Sequence, residues 1–310
     1  MNIIPICFAF DSQLLFPAGV CLSSLLMNAE TETFYDIFIL LPDKDEIDTT
    51  ELDRLPGHYN NCSITYRRVG NVFDNAFEIR GITTPAYYRF LIPNLVPEYD
   101  KILYSDVDVI FRSDLSKYYN EELGDCYFGA VDVCVAIRPD IKEYVEGEIH
   151  LDSSKGYFYS GNLIINSKKL REDNLLEKMV ELSRMQFKFQ DMDVMNIVCN
   201  GKIKQISSGF CITNYLYSLF MKFSQEGVCG ISPQEIHNML NNGVVHYNGA
   251  KPWNTWCYLH DIWWHYYRES IFYDERVCNE FYARCVNEFD KWTLWKRMKH
   301  VLRFFINSIK

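Results

Sequence analysis

Two aspartates separated by one residue, Asp106 and Asp108, lie between two apolar stretches of the chain. Carboxylates this close repel each other, and burial adds a loss of solvation. A divalent cation removes both costs, and Mg²⁺ or Mn²⁺ prefers such oxygen ligands and often completes its coordination with substrate phosphates. The pair is therefore a candidate metal site. Taken alone, it also fits two acids that cap a loop.

A second group of residues suited to metals and phosphates lies between His246 and Trp253. Imidazole is a better ligand for Mn²⁺ than for Mg²⁺. Gly249 allows a ligand to approach the backbone closely, and Lys251 can place a positive charge on a phosphate. The alternative for this segment alone is a turn closed by an aromatic side chain.

The aspartate pair also resembles a phosphatase motif of the haloacid dehalogenase type, in which the first aspartate, here Asp106, is a nucleophile. That motif normally lies near the N-terminus and needs a later acidic pair in a Gly-Asp context. The pair lies a third of the way along this chain, and we find no such later pair. We therefore rank a phosphatase below a site for a metal and a diphosphate.

Alternating strands and helices are predicted to position these residues. Apolar runs predict buried strands at 3–10, 35–41, 63–68, 101–105, 127–131 and 163–165, and the run at 109–111 continues after the aspartate pair. Helical patterns lie at 17–29, 45–55, 175–185 and 191–199, and a short helix begins at Pro85. This alternation indicates an α/β fold with parallel pairing through crossover helices. Ligands of such sheets bind beyond the carboxyl ends of the strands, where Asp11, Asp106 and Asp108 are expected.

The composition is that of a packed globular chain. Of 310 residues, 48 % are hydrophobic and 23 % are charged, which excludes global disorder, collagen and coiled coils. A formal net charge of −10 argues against a broad nucleic-acid-binding surface. The eleven cysteines are odd in number and form no Cys-x-x-Cys pair, so we expect them to be mostly buried and reduced, in the cytosol. No secretory signal and no apolar run of roughly 18 residues is visible, which agrees with a cytoplasmic protein.

Seven segments, in order along the chain, resemble glycosyltransferase family 8, the retaining nucleotide-sugar transferases that include the bacterial lipopolysaccharide galactosyl- and glucosyltransferases. The matching segments are 8–11, 86–93, 101–108, 129–132, 160–166, 190–196 and 246–253. The resemblance implies a GT-A type α/β fold, in which helices flank a mixed, mostly parallel sheet. It also implies a UDP-sugar donor and Mn²⁺, with Mg²⁺ as the alternative ion.

The resemblance assigns roles to individual residues. The metal ligands would be Asp106, Asp108 and His246. The residues that bind the nucleotide and the diphosphate of the donor would be Ala9, Phe10, Asp11, Arg89, Asp106, Val107, Gly249 and Lys251. Among these, Asp11 would face the uracil. The catalytic residues would be Asp108, Asp132 and Asp191, of which Asp132 and Asp191 would contact the transferred sugar.

The implied activity is that of a metal-dependent retaining hexosyltransferase (EC 2.4.1 type). It would move glucose or galactose from UDP-glucose or UDP-galactose to a saccharide or lipid-linked acceptor, as in lipopolysaccharide or surface-glycan assembly. The metal would act as a Lewis acid on the departing UDP. The alternatives are a catalytically silent nucleotide-sugar-binding protein of the same fold and the phosphatase that uses Asp106.

Three features depart from the family pattern. Tyr159 replaces the asparagine that commonly precedes the pair at 160–161, and Met192 replaces the glutamine of an Asp-Gln-Asp motif. A thioether cannot attack as a glutamine carbonyl oxygen would, so double displacement through residue 192 is excluded. Front-face substitution, or use of Asp191, remains open. The segment from His246 to Trp253 is one residue shorter than a common form, which leaves the position of Lys251 open.

The end of the chain carries a basic amphipathic pattern. We expect a transferase domain at 1–270 and a helical segment at 271–310, whose last part, 291–310, has six Lys or Arg and no acid. One helical face would present Trp292, Trp295, Met298, Leu302, Phe305 and Ile309. The remaining positions include Lys296, Lys299, His300, Arg303 and Lys310. Such a helix predicts peripheral binding to the anionic inner face of the cytoplasmic membrane. The alternative is a helix docked on the acidic body.

Overall fold

The computed structural model describes residues 2–79, 81–299 and 302. The strands of this part of the chain are β1 (Asn2–Ala9), β2 (Thr33–Pro42), β3 (Cys62–Val69), β4 (Lys101–Ser105), β5 (Val109–Ile110), β6 (Phe128–Ala130), β7 (Asn162–Asn166), β8 (Ile203–Gln205), β9 (Ile212–Thr213) and β10 (Val245–His246). The α-helices are α1 (Leu15–Met27), α2 (Leu55–Tyr59), α3 (Ile92–Leu95), α4 (Ser116–Tyr119), α5 (Pro139–Glu143), α6 (Ser167–Glu172), α7 (Leu176–Leu182), α8 (Asp191–Val198), α9 (Asn214–Lys222), α10 (Pro233–Asn242), α11 (His260–Glu269) and α12 (Glu275–Asp290). The short helix predicted at Pro85 is a 3₁₀ helix, Thr84–Phe90.

A seven-stranded sheet in the order β3-β2-β1-β4-β7-β6-β8 forms the centre of the molecule. The pairs β3–β2, β2–β1 and β1–β4 are parallel, whereas β7 is antiparallel to both β4 and β6. Each strand predicted in the main sheet is present within a few residues of its expected bounds. The predicted α/β class with a mixed sheet flanked by helices is therefore confirmed.

Both faces of the sheet are covered. Along β1, Ile4, Ile6 and Phe8 belong to the buried core on one face, and Cys7 and Ala9 belong to the core on the other. A strand buried on both faces reads as a continuous apolar run, which explains why the strand was visible in the sequence. Polar ligands can then reach the sheet only at the ends of its strands.

A second, three-stranded sheet joins distant parts of the chain next to the end of β4. β5 follows the aspartate pair directly and pairs antiparallel with β10, so that Val109 lies opposite His246 and Ile110 lies opposite Val245. β10 also pairs in parallel with β9. The apolar run at 109–111 therefore contributes to this small sheet rather than to the main one.

The helix predicted at 45–55 is wrong. Residues 45–51 are irregular, and helical structure begins only at Leu52 and continues into α2. Carboxylates occupy backbone donors around this stretch. Asp48 accepts a hydrogen bond from the amide of Thr50 at 3.0 Å, and Asp45 accepts one from the amide of Ser12 at 2.8 Å. Local bonds from side chain to backbone compete with helix formation.

A third core, rich in aromatic side chains, holds the last described helices against the rest of the chain. Trp263 and Trp264 of α11 and Phe281 of α12 are buried together with Val20 of α1 and Tyr247. This core extends past residue 270, and a domain boundary at that position stays a prediction. No helix among the described residues is long and apolar enough to cross a bilayer.

The basic tail is described only in part. Residues 294–299 are helical, which agrees with the predicted helical pattern there. Leu294, Trp295, Met298 and Leu302 are exposed. Five of the tail residues named in the prediction lie outside the described residues: His300, Arg303, Phe305, Ile309 and Lys310.

Candidate active site

The carboxyl ends of β1 and β4 open into a cavity of about 690 Å³. The predicted site residues that line it are Ala9, Phe10, Asp11, Arg89, Asp106, Val107, Asp108, Asp191, His246, Gly249 and Lys251. Asp132 is the one predicted residue that does not line this cavity. Segments far apart in the sequence thus meet at the edge of the sheet where an α/β fold binds ligands.

Two carboxylates and one imidazole face each other at the wall of the cavity. His246 Nε2 lies 3.2 Å from Asp108 Oδ1 and 3.7 Å from Asp106 Oδ2, and the possible ligand atoms of all three residues lie within 4.8 Å of one another. The pairing of β10 with β5 explains this approach, because it holds His246 beside the strand that follows Asp108. Two carboxylate oxygens and one imidazole nitrogen are a donor set that fits Mn²⁺.

A glycine lets these three side chains come together. The carbonyl of Gly161, which precedes β7, accepts a hydrogen bond from the amide of Asp106 at 2.8 Å. A Cβ atom on Gly161 would lie 2.8 Å from His246 Nδ1 and 3.0 Å from Asp106 Oδ2. Both distances are shorter than ordinary van der Waals contact, so any larger residue would push the imidazole and the carboxylate apart.

Arg89 connects the aspartate pair to Asp191. Its side chain is 3 % exposed, with Nη2 at 2.9 Å from Asp106 Oδ1 and Nη1 at 3.3 Å from Asp191 Oδ2. Burial would lower the pKa of Arg89, but the two carboxylates raise the pKa above its ordinary value. Nη1 also donates to the carbonyl of Ser160, and Nε donates to the carbonyl of Ala86 at 2.6 Å. Arg89 is therefore a permanent cation with a fixed orientation.

Lys251 neutralises the second aspartate of the pair. Its ammonium group forms an ion pair with Asp108 and donates a hydrogen bond to the carbonyl of Tyr247 at 2.6 Å. Burial would raise the pKa of Asp108, but His246 and Lys251 together lower it below its ordinary value, so the carboxylate stays charged. The segment from His246 to Trp253 is one residue shorter than a common form, but Lys251 still reaches the aspartate pair.

Helix α8 begins at Asp191, which is 5 % exposed at the cavity wall. Gln190, immediately before it, has a φ of +49°, which is uncommon for a residue with a side chain. Burial raises the pKa of Asp191, and the guanidinium of Arg89 opposes this rise. Met192 also lines the cavity, so its thioether would lie beside a substrate bound there.

Two other aspartates near the cavity hold neighbouring groups. The carboxylate of Asp132 accepts hydrogen bonds from the amides of Cys134, at 2.6 Å, and Tyr157, at 3.1 Å. Asp193 is buried, and its carboxylate accepts a hydrogen bond from the hydroxyl of Tyr144 at 2.8 Å. Both residues fix loops that border the cavity. A contact between Asp132 and the transferred sugar stays a prediction.

The sequence analysis missed residues that shape the cavity. Thr83 donates a hydrogen bond from Oγ1 to Asp11 Oδ2 at 2.8 Å and thereby orients this carboxylate. Tyr104 donates one to Asp106 Oδ1 at 2.7 Å. Tyr104 lies two residues before Asp106, and alternate side chains of an extended segment point the same way. This spacing could have indicated their contact. Arg138 and Tyr215 also line the cavity, and no pattern in the sequence indicates this.

The chain is similar to known glycosyltransferases in sequence and in fold. The family model described as glycosyl transferase family 8 matches residues 5–257. A Haemophilus influenzae protein with a provisional glycosyltransferase name is 30 % identical over 136 residues, which cover 43 % of this chain and 40 % of the relative. The lipopolysaccharide 1,2-glucosyltransferase of Escherichia coli K12 is 23 % identical over 261 residues, which cover 81 % of this chain and 73 % of the relative. Four of the curated relatives are matched over only 40 % to 64 % of their own length.

A solved structure confirms the architecture. The galactosyltransferase LgtC, in complex with donor and acceptor sugar analogues, superposes with a TM-score of 0.71 at 24 % identity, covering 88 % of this chain and 98 % of LgtC. At this identity the likeness shows the fold alone. It confirms the predicted GT-A type of the sheet and its flanking helices.

Replacing Gly161 by alanine tests whether close packing assembles the metal ligands. We expect Gly161→Ala to weaken Mn²⁺ binding by about tenfold or more, because the new methyl group displaces His246 and Asp106 from each other. Titration of Mn²⁺ followed by electron paramagnetic resonance measures the affinity. Gly57→Ala is the matched control, since a Cβ there has no neighbour within 4 Å. Equal Mn²⁺ affinity in the two variants would contradict the role of Gly161.

Proposed function

The chain belongs to glycosyltransferase family 8, and on this basis we propose that it is a metal-dependent retaining hexosyltransferase. It moves glucose or galactose from UDP-glucose or UDP-galactose to a saccharide or lipid-linked acceptor, as in lipopolysaccharide or surface-glycan assembly. The observation that carries this proposal is the cluster of Asp106, Asp108 and His246 at the wall of one large cavity. Galactosyltransferase and lipopolysaccharide glucosyltransferase names among the related proteins support the sugar class.

The charges at the cavity wall suit a diphosphate only when a divalent cation is present. Four aspartates at the wall carry negative charges, and three cations carry positive ones: Asp11, Asp106, Asp108 and Asp191 against Arg89, Arg138 and Lys251. With His246 neutral, as a metal ligand must be, the group has a net charge of −1 and would repel a diphosphate. A divalent cation changes that charge to +1. Mn²⁺, with Mg²⁺ as the alternative, would bind Asp106, Asp108 and His246.

The remaining residues position the donor and its leaving group. When bound, the metal supplies Lewis-acid stabilisation of the charge that develops on UDP. Lys251 adds a fixed positive charge beside it, and Gly249 lets the diphosphate approach the backbone. Asp11 follows β1 and accepts a hydrogen bond from Thr83, which supports the proposal that it faces the uracil. Ala9, Phe10 and Val107 form the apolar part of the same wall.

We propose Asp191 as the carboxylate that assists the transfer step. It lines the cavity beside Arg89, and its Oδ2 atom accepts no hydrogen bond from the described residues. Because Met192 offers no oxygen nucleophile, retention of configuration proceeds by front-face substitution or with help from Asp191. A catalytically silent binding protein would keep the same site without turnover. A phosphatase is less suited, because Asp106 is held in place by Arg89 and Tyr104.

We also propose that the basic tail binds the inner face of the cytoplasmic membrane. Leu294 and Trp295 are 75 % and 72 % exposed, an unusual state for large apolar side chains in a helix. Lys296 and Lys299 belong to the same segment. Exposed apolar side chains beside several cations favour an anionic lipid surface. A membrane position would bring the cavity close to a lipid-linked acceptor.

Release of UDP tests the proposed activity. In the presence of Mn²⁺, we expect the wild-type chain to hydrolyse one UDP-sugar slowly, because water can replace a missing acceptor. Asp108→Asn should lower this rate by about 100-fold or more, since the variant loses a charged metal ligand. Asp48→Asn is the matched control, because Asp48 is exposed and does not line the cavity.

The same samples separate the alternatives. Metal-dependent binding of UDP without any turnover would favour the silent binding protein. No binding of UDP in the presence of Mn²⁺ would contradict the donor site. Metal-dependent hydrolysis of phosphate esters that requires Asp106 as a covalent acceptor would favour the phosphatase.

Co-sedimentation with vesicles tests the membrane proposal. We expect binding to phosphatidylglycerol vesicles that weakens at high salt, and little binding to phosphatidylcholine vesicles. Trp295→Ser should weaken the binding by about tenfold, because it removes a large apolar group from the tail. Met221→Ser is the control, since Met221 is 53 % exposed but lies in α9. Equal binding to both lipids would contradict the proposal.

A further inference from the structure

A cation and an aromatic ring form a pair at one side of the main cavity. Arg138 immediately precedes α5, and its Cζ atom lies 4.2 Å from the centre of the Tyr215 ring in α9. Both residues line the cavity that holds the aspartate pair. Tyr215 also lines a second cavity of about 580 Å³, together with Leu219 and Phe223. The pair therefore stands where the two cavities adjoin.

Arg138 has a weaker ion-pair partner than the other two cations that line the cavity. Three residues with a permanent positive charge line it: Arg89, Arg138 and Lys251. Arg89 faces two carboxylates, and Lys251 is paired with Asp108. Arg138 is paired with Asp140 at 3.2 Å, and that carboxylate is 67 % exposed. A pair with a solvated carboxylate is weak, so an anion in the cavity can compete for the guanidinium.

The surroundings of Arg138 favour recognition of a planar or tetrahedral anion. Its side chain is 19 % exposed, and its contact with the Tyr215 ring limits its freedom. A guanidinium held on an aromatic face keeps N–H groups at its edge, and these can donate two hydrogen bonds to a carboxylate or phosphate. The chain as a whole carries a net charge of −10 and repels anions at long range. A cation inside the cavity offsets that repulsion locally.

The donor does not account for this pair. Among the groups suited to its diphosphate, Gly249 and Lys251 lie in the segment that follows β10, and Arg89 lies in the 3₁₀ helix Thr84–Phe90. Arg138 immediately precedes α5, and Tyr215 lies in α9. We infer that Arg138 and Tyr215 form an acceptor subsite, and that the acceptor is a saccharide with an anionic group, either a carboxylate or a phosphate. The inference rests on the proposed glycosyl transfer and names the class of its acceptor.

Acceptors that differ only in charge test the inference. The full chain receives Mn²⁺, the UDP-sugar that it hydrolyses, and one of three probes: a nitrophenyl glucoside, the matching glucuronide, or the matching glucoside 6-phosphate. We expect wild type to use at least one anionic probe with a kcat/KM about tenfold or more above that for the glucoside. Arg138→Gln should lower kcat/KM for that probe by about 10- to 100-fold and change the glucoside much less. The probe that is affected identifies the anion as carboxylate or phosphate.

Two further variants show whether the loss in kcat/KM is specific to the guanidinium of Arg138. Arg276→Gln is the matched control, because Arg276 pairs with an exposed aspartate two residues away and does not line the cavity. Arg138→Lys keeps the charge but loses the paired N–H groups, so it should recover part of the preference. Equal loss for neutral and anionic acceptors in Arg138→Gln would overturn the inference.

Failure of the proposed glycosyl transfer can be distinguished from failure of the acceptor subsite. If wild type neither hydrolyses a UDP-sugar nor transfers sugar to any of the three probes, the transferase proposal fails by that measurement alone. The subsite is then tested by calorimetry with the same three probes in the presence of UDP and Mn²⁺. Tighter binding of an anionic probe to wild type than to Arg138→Gln would support the subsite, and equal binding would contradict it.

Discussion

The site depends on three carboxylates that the fold crowds together at one edge of the sheet. Asp106, Asp108 and Asp191 line the same cavity, and like charges at such distances repel one another. Arg89 pairs with two of them and Lys251 with the third. Removing one partner from a buried ion pair typically costs about 3–5 kcal/mol. Arg89 and Lys251, which we propose to prepare the site for a cation and a diphosphate, thus also hold the carboxylates together.

Short secondary-structure elements place these charges. Strand β4 ends at Ser105, and the chain then leaves the main sheet through the aspartate pair to form β5, which is only two residues long. Its pairing with β10 brings in His246 and Lys251, and Lys251 lies 143 residues from its ion-pair partner Asp108. Gly161 completes the arrangement by leaving room between the imidazole and Asp106. Small changes in any of these elements would therefore alter the metal ligands.

The sequence could predict most strands and the types of the site residues. A strand buried on both faces, such as β1, gives an apolar run, and the aspartate pair with the later histidine has the right donor atoms for a metal. The irregular segment at 45–51 was predicted as a helix because its local carboxylate bonds are invisible in a periodic pattern. The stacking of Arg138 on Tyr215 was missed for a related reason. It arises from tertiary packing of the residue before α5 against α9, and no spacing in the sequence indicates it.

The central claim is that the carboxylate cluster accepts a nucleoside diphosphate only together with a divalent cation. Calorimetric titration of UDP into the wild-type chain, with Mn²⁺ and after its removal by a chelator, measures this coupling. The charge balance at the cavity wall predicts that Mn²⁺ increases the affinity for UDP by about tenfold or more. An affinity for UDP that is the same with and without Mn²⁺ would contradict the account.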